Sequence, residues 1–298
     1  MAEARIPSTA IGRLPPPLVL ACLAATWFIW GSTYLAIKFA LAGLPPFLMM
    51  ASRFVVAGAL LLAYTRWRGA PWPSGREWRN AAIVGTLMLG CGMGGTAQAE
   101  LSIGSGIVVA FIAVTPLLMV VASLPFGVRP ARGEVVGILV GLGGVLMLVQ
   151  GAGFRASPGG LGWMLMACSG WTLGSVLSQR RLHLAPGAVG FASEMIGGGM
   201  VLLLAAALAG ERLPAAVPAG AWLAWAYLVV FGSLIAFNAY MILLGRASTG
   251  IATSYTFVNP VIALLLGVAI GGEYVTAWEW LSAAVVLAGV VLLLLSRR

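Results

Sequence analysis

The chain has 298 residues, of which 61% are hydrophobic and 8% are charged, and its mean hydropathy is +1.01. A soluble domain is about 45–50% apolar and about 25% charged. The composition therefore excludes a water-soluble globular enzyme and a disordered chain. The long apolar runs exclude an outer-membrane barrel, whose strands alternate polar and apolar residues. The net charge of +9 does not indicate nucleic-acid binding, because the basic residues lie in short gaps between those runs.

Ten apolar runs are long enough to cross a bilayer as helices, which takes about 20 residues each. After a polar tail, the predicted spans cover residues 18–38, 46–65, 80–99, 104–125, 134–150, 160–179, 187–209, 220–243, 250–270 and 277–296. The first run is longer than a signal-peptide core and lacks a convincing cleavage site, which predicts a retained helix. The predicted fold class is an all-α polytopic membrane protein with ten transmembrane helices.

The loop charges predict the orientation, because cytoplasmic loops carry an excess of Lys and Arg. If the N-terminus is cytoplasmic, 13 arginines lie on the inner side and only Arg155 and Arg212 lie on the outer side. Both termini are therefore predicted to be cytoplasmic, in the inner membrane of a bacterium.

Short motifs recur between the two halves at an offset of about 144 residues: residues 105–107 (Ser-Gly-Ile) match residues 249–251 (Thr-Gly-Ile), and Thr115-Pro116 match Asn259-Pro260. Each half holds five spans, an odd number, so the second half must cross with opposite orientation, as in many secondary transporters. The predicted domains are a cytoplasmic tail over residues 1–17, a first five-helix repeat over 18–150, an extracytoplasmic linker over 151–159 and a second five-helix repeat over 160–298. The two inverted repeats are expected to surround a central cavity.

The chain resembles the EamA-type branch of the drug/metabolite transporter superfamily in an ordered series of short motifs. These are Trp30-Gly31-Ser32-Thr33-Tyr34 leading to Lys38, then Arg53-Phe54, and then the two Gly-Ile…Pro segments. Gly272-Glu273 and Ala288-Gly289-Val290 fit the same branch, and within it the chain most resembles the YddG group of amino-acid exporters. The resemblance covers nearly the whole chain and implies a ten-helix exporter of small metabolites without an ATP site. Arg129 stands where the first half of such proteins usually carries Glu, which indicates that this Glu has no shared catalytic role.

Two prolines lie deep in predicted spans 4 and 9. Pro116 and Pro260 lack an N–H and are expected to break or kink their helices, which frees carbonyl groups that need a partner or a wet cavity. Thr115 and Asn259 precede them and add polar side chains at equivalent points. We predict hinges with substrate hydrogen bonding; static kinks satisfied by neighbouring helices are the alternative.

Charged residues inside spans supply the other gating candidates. Arg53 in span 2 and Glu194 in span 7 each cost about 2.5–3.5 kcal/mol at mid-membrane. Arg53 is predicted to act as a gate or to contact a substrate carboxylate, and Glu194 to act as a proton or gate site. Snorkelling or helix packing is the alternative. Lys38, at the edge of span 1, completes this set.

The cavity candidates are mainly aromatic residues on spans 1, 6, 8 and 9, which would suit an aromatic or amphiphilic solute. Lipid packing is the alternative. The candidates are Trp27, Trp30, Tyr34, Phe111, Trp163, Trp171, Phe237 and Tyr255, with Gln98, Asn238 and Asn259 as polar groups.

The sequence contains too few titratable groups for an intramembrane enzyme. There is no Asp, and His183, the one histidine, lies in a predicted loop, whereas a zinc motif of the H-E-x-x-H kind needs two histidines. The three cysteines, Cys22, Cys91 and Cys168, lie inside predicted spans. We interpret them as small apolar residues of the helix packing. We therefore predict no enzyme activity, no catalytic residue, no cofactor and no metal. A channel stays open as a further class, although inverted repeats favour alternating access.

The predicted function is a secondary transporter that exports aromatic or other neutral amino acids, or related metabolites, by alternating access. The alternative is an exporter of other solutes, such as drug-like cations or nucleotide sugars. The expected partners are a small solute and the lipid bilayer, without nucleic acid. We expect the protein to act as a monomer, with an oligomer left open.

Overall fold

A computed structural model describes residues 16–102, 108, 111–150, 157–271 and 276–296. Most of the predicted tail and linker, the first Gly-Ile motif and the Gly272-Glu273 pair lie outside these residues. The described chain is helical and follows the predicted spans closely. Its helices are α1 (Pro17–Leu41), α2 (Pro46–Trp67), α3 (75–99), α4 (Thr115–Phe126), α5 (Arg132–Val149), α6 (Pro158–Arg180), α7 (Ala188–Leu208), α8 (Ala219–Arg246), α9 (Tyr255–Gly271) and α10 (Ala277–Leu295).

Six of these helices, α1, α2, α6, α7, α8 and α10, are long and apolar enough to cross a membrane by length and composition. Their outer surfaces carry apolar side chains that a soluble protein would bury. Leu208 is 80% exposed and Leu295 is 72% exposed. Such a surface fits contact with lipid and supports the predicted fold of a polytopic helical membrane protein.

The helix ends follow from local sequence. Proline occupies the first helical position of α1, α2 and α6, where its missing N–H would be unpaired in any case. Gly69 and Gly210 terminate α2 and α7, the second helices of the two repeats, with φ values of +85° and +67°. Glycine adopts this left-handed conformation without the steric penalty that a Cβ brings.

The helix contacts have the symmetry of two repeats. α2 packs along α7, and α5 packs along α10, so each pair joins equivalent helices of the two halves. α1 packs on α8 and α9, and in the same way α6 packs on α3 and α4. An inverted repeat requires such paired contacts, because any neighbour in one half must have a counterpart in the other.

The backbone departs from regular α-helix at equivalent places. Long π-helical segments occupy Thr86–Gly94 in α3 and Leu228–Phe237 in α8, the third helix of each repeat. A shorter π turn covers Ala25–Ile29 in α1. The wider π turn is frequent at functional sites, and all three segments lie in helices that border the interior of the bundle.

The predicted breaks at the two prolines lie earlier in the chain than expected. In the first repeat a turn at Ala113 and Val114 precedes α4, and Pro116 lies in the first turn of that helix. In the second repeat a one-turn helix, Thr249–Thr253, is separated from α9 by a turn at Ser254, and Pro260 lies inside α9. Proline is tolerated in a first turn, so Pro116 begins a helix instead of interrupting one.

Candidate functional site

Four aromatic rings from four helices meet in the middle of the bundle. The ring centroid of Trp30 (α1) lies 5.6 Å from Trp171 (α6), 5.3 Å from Tyr240 (α8) and 4.7 Å from Tyr255 (α9). Tyr240 lies 5.2 Å from Trp171 and 5.6 Å from Tyr255. Edge-to-face and tilted pairs at these distances attract each other beyond the effect of area burial. We call these four residues the ring cluster.

Hydrogen bonds fix the orientation of the ring cluster. Trp171 Nε1 donates to the Tyr240 hydroxyl at 3.1 Å, and the Ser175 and Tyr240 hydroxyl oxygens are 3.0 Å apart. Trp30 Nε1 donates to the Gly232 carbonyl at 3.2 Å, inside the π segment of α8. The rings are therefore held by directional bonds as well as by packing.

A cavity of about 60 Å³ lies against the ring cluster. This is room for about four to six water molecules, at about 10–15 Å³ each. The lining side chains come from α1, α3, α4, α6 and α9 and none of them is charged: Trp30, Thr33, Tyr34, Ile37, Gly92, Met93, Thr96, Ile112, Thr115, Ala167, Cys168, Trp171 and Tyr255. An apolar pocket with a few polar groups is typical of a small-molecule site.

Unpartnered polar atoms lie beside this cavity. Both amide atoms of Asn259 are buried without a hydrogen-bond partner among the described residues. Asn259 is 2% exposed and lies near the Tyr34 hydroxyl. An unpaired buried polar group costs free energy, and a solute that bonded to the Asn259 amide would remove that cost.

The two helix breaks border the same space. Ile112 and Thr115, which line the cavity, flank the turn before α4. Ser254 forms the turn before α9, and its hydroxyl accepts from Trp27 Nε1 at 3.0 Å. Broken helices expose backbone donors and acceptors in the interior, and transporters bind substrates at such points.

Comparison with known proteins identifies the protein family. The EamA-like transporter family matches residues 17–150 and residues 158–295, which together span most of the chain.

The chain belongs to the EamA-like transporter family.

Relatives agree with this assignment. The uncharacterized inner membrane transporter YedA of Escherichia coli (strain K12) is 40% identical over 280 residues, which cover 94% of this chain and 91% of that protein. A chloroplastic WAT1-related protein of Arabidopsis thaliana is 26% identical and covers 91% of this chain and 68% of its own. A solved crystal structure matches with a TM-score of 0.75 and 25% identity, over 94% of this chain and 99% of that one. The protein is a multi-pass membrane transporter of the drug/metabolite superfamily.

Arg53 is fully buried among neutral groups in this EamA-family bundle. Its Nε donates to the Ser233 hydroxyl at 2.8 Å, and its Nη1 lies 3.6 Å from the Met50 sulfur. The guanidinium carbon lies 4.8 Å from the centre of the Phe54 ring. Arg53 is 1% exposed and is not among the side chains that line the cavity. The structure therefore places it between α2 and the π segment of α8.

Glu194 is the second buried charge. It is 0% exposed, and neither carboxylate oxygen has a hydrogen-bond partner among the described residues, so Arg53 does not bond to it. Glu194 belongs to α7, which packs against α2 and α3. A carboxyl without partners at such a depth is costly when it is ionised.

The remaining predicted site residues lie at several places. Phe237 packs against Trp171, with ring centroids 6.5 Å apart, and Phe111 packs near the cavity while its carbonyl accepts from the Cys168 thiol. Asn238 donates to carbonyls of its own helix, at Ser233 and Leu234. Three other predicted residues do not line the cavity. Trp163 packs against Phe47, the Gln98 side chain is half-buried, and the Lys38 side chain is exposed.

Sequence reasoning missed several lining or bonded residues, namely Thr33, Met93, Thr96, Cys168 and Ser175. One signal could have found Ser175. Gly174-Ser175 is the repeat counterpart of Gly31-Ser32, and Ser32 also bonds to a tyrosine, with 2.6 Å between its hydroxyl and that of Tyr227. The equivalent serine of each repeat thus meets a tyrosine of α8.

Proposed function

We propose that this transporter exports aromatic or other neutral amino acids by alternating access, in the inner membrane of a bacterium with both termini cytoplasmic. The observation that carries the proposal is the uncharged cavity beside the ring cluster, bordered by two broken helices. Flat apolar side chains can stack on Trp30, Trp171 and Tyr255. Backbone groups that become free at the two helix breaks would pair with both charges of a zwitterion, whose net charge is zero.

The lining argues against the other solute classes. A drug-like cation needs a carboxylate in its site, and a nucleotide sugar needs several Arg or Lys side chains for its phosphates. Glu194 and Arg53 are buried outside the lining, and none of the described lining residues is charged. An uncharged site favours a solute without net charge.

The bound solute must displace the rings in this mechanism. The cavity is too small for an aromatic amino acid, since it has room for about four to six water molecules. Loading therefore needs the repeats to move apart around the ring cluster, and release on the other face needs the opposite movement. This is the movement that inverted repeats provide.

Counterflow in proteoliposomes that contain only the purified full-length protein tests the proposal. Unlabelled phenylalanine or leucine inside the vesicles should accelerate the entry of the labelled amino acid, and this entry should saturate. Protein-free liposomes are the control. Absence of protein-dependent flux for every amino acid would end the proposal, and flux of a quaternary ammonium compound alone would favour the cation alternative.

An Asn259→Leu variant tests the site itself. The amide makes no hydrogen bond of normal geometry among the described residues, although the Tyr34 hydroxyl lies near it, so an apolar residue of similar size should change thermal stability little. The KM for the amino acid should rise about tenfold if the amide bonds the solute, because one hydrogen bond to a charged group is worth about 1.5–3 kcal/mol. Asn80→Leu is the control: it breaks the 2.9 Å bond to the His183 carbonyl and should lower stability without raising KM.

A further inference from the structure

The fifth helix of each repeat begins with a glutamate at its third position. Glu134 in α5 and Glu279 in α10 are equivalent at an offset of 145 residues. In α10 the Glu279 carboxylate accepts from the Thr276 backbone N–H at 2.7 Å, and the Thr276 hydroxyl accepts from the Glu279 N–H at 3.3 Å. This is a capping box, in which the two residues satisfy each other.

The capping box is missing in α5. Its N-cap is Ala131, which has no side-chain acceptor or donor. Glu134 therefore has no local partner of the kind that Thr276 gives to Glu279. Its Oε1 instead accepts from the backbone N–H of Gly250 at 2.7 Å, and Glu134 is 8% exposed. The carboxylate of one repeat thus holds the backbone of the other.

The contact at Gly250 is close. A Cβ at this position would lie 2.8 Å from Glu134 Oε1 and 2.8 Å from the Leu293 side chain. Glycine is thus the residue that lets Glu134 reach the N–H. A charge-assisted hydrogen bond of this kind is roughly twice as strong as a neutral one, and burial strengthens it further.

The bond lies between two spaces of the molecule. On one side Glu134 lines a vestibule of about 430 Å³ at the end of the bundle where Pro16 and Ser296 lie, together with Arg129, Arg180 and Arg246. On the other side, the one-turn helix Thr249–Thr253 leads through the turn at Ser254 directly to Tyr255. Tyr255 belongs to the ring cluster and lines the central cavity. The bond to Gly250 therefore links the vestibule wall to the segment that carries Tyr255 of the ring cluster.

We propose that Glu134 is a positioning residue for transport: its bond to Gly250 latches the helix Thr249–Thr253 onto α5 and so keeps Tyr255 between the vestibule and the cavity. Solute passes between the two spaces only after this bond breaks. This role rests on the proposed function, because it assumes that solute crosses through the central cavity. Glu279, which is occupied by its own helix, has no such role.

Cys168 provides a reporter for the test, because it lines the cavity. The full-length protein would carry Cys22→Ala and Cys91→Ala, so that Cys168 is the remaining thiol. A membrane-impermeant methanethiosulfonate reagent is then applied from either face, in right-side-out and inside-out vesicles. This measurement needs no transported substrate, so it distinguishes failure of the latch from failure of the amino-acid proposal.

Glu134→Ala should raise the rate of Cys168 modification from the vestibule face by about tenfold, as expected for loss of one charge-assisted bond, and should not raise the rate from the opposite face. Glu134→Gln keeps an acceptor oxygen, so it should raise the modification rate less than Glu134→Ala. This variant still tests the proposal if the alanine variant does not fold. Glu279→Ala is the matched control and should leave both rates unchanged. Equal effects of Glu134→Ala and Glu279→Ala, or no effect of either, would overturn the proposal.

Ala131→Thr separates a latch from a purely structural role. The threonine recreates the capping box of α10 and offers Glu134 a local partner. If Glu134 is a latch, this variant should be at least as stable as the parent and yet should increase Cys168 modification from the vestibule face. Stabilisation with an unchanged modification rate would show that the bond to Gly250 does not control access.

Discussion

Two helix pairs join the repeats, and they are built differently. Where α5 meets α10, the backbones touch at glycine: a Cβ on Gly289 would lie 2.5 Å from the Gly141 nitrogen. Around this contact lie buried apolar side chains, including Ile138, Val286 and Leu293. Where α2 meets α7, glycines also allow close approach, since a Cβ on Gly58 would lie 2.9 Å from the Ala192 carbonyl oxygen.

The second pair differs in that it holds charge. Arg53 of α2 is fully buried among neutral groups, against the π segment of α8, and Glu194 of α7 is fully buried without a partner among the described residues. Each of these two charges costs free energy in the membrane interior, whereas the glycine contact between α5 and α10 is surrounded by apolar side chains. From this comparison we infer that α5 and α10 form a fixed joint, and we propose that the charges of α2 and α7 are kept for transport.

The largest effect is expected in the fixed joint. Gly289→Leu would force a side chain into the backbone of α5 and should abolish the recovery of folded, monodisperse protein after detergent extraction. Gly143→Leu is the matched control, because a Cβ on Gly143 meets nothing within 4 Å. It should be recovered like the parent. Equal recovery of both variants would show that the glycine contact is not needed.

Glu194→Gln tests the charge in the second pair. The amide has the shape of the carboxyl but no charge, so the midpoint of thermal unfolding should rise by about 2–4 °C, corresponding to about 1 kcal/mol. Amino-acid counterflow should fall by about tenfold, as expected for a charge retained for function. Parallel thermal melts and counterflow assays measure the two effects. Undiminished counterflow in the Gln variant would remove Glu194 from the mechanism.

Arg53→Met should have a smaller effect. Methionine fills similar space but cannot donate to Ser233, so the π segment of α8 loses one fixed contact. We expect the maximal exchange rate to fall about fivefold, equivalent to about 1 kcal/mol, with an unchanged KM because Arg53 does not line the cavity. Ser233→Ala should behave alike, and the double variant should be no worse than Arg53→Met. A raised KM would instead indicate contact with the solute.

The smallest effect is expected from a conservative change in the fixed joint. Ile138 is 1% exposed, and Ile138→Val should destabilise the protein by about 1 kcal/mol through the lost methylene. Counterflow at a temperature well below unfolding should be unchanged. Chemical denaturation in detergent and counterflow together check this expectation. A specific loss of transport would contradict the fixed role assigned to α5 and α10.

Apolar length and loop composition were enough to predict the helices, because the bilayer imposes both. They also predicted that Trp30, Trp171 and Tyr255 lie in the interior, although their role as a binding site stays a prediction. The break before α4 was predicted at Pro116 and lies just ahead of it, since local pattern does not distinguish a helix interrupted by proline from one begun by it.

The partners of Glu134 and Tyr240 could not be predicted. Both depend on how each helix is rotated about its axis, and a helix that is apolar all round gives no hydrophobic face from which to read that rotation. The missing threonine at Ala131 is visible in the sequence, but only the structure shows that Gly250 takes its place. A sequence difference between the two repeats, such as Ala131 in place of threonine, can be interpreted only when the structure shows which residues its neighbours contact.

The closeness of the four rings in the cluster has a consequence for the cell. Their centroids lie 4.7–5.6 Å apart in successive pairs, and the cavity beside them holds only a few water molecules. Under the proposed mechanism, we expect the described residues of an idle molecule to leave protons and potassium ions no continuous column of water through the ring cluster. The membrane potential would then persist across many resting copies.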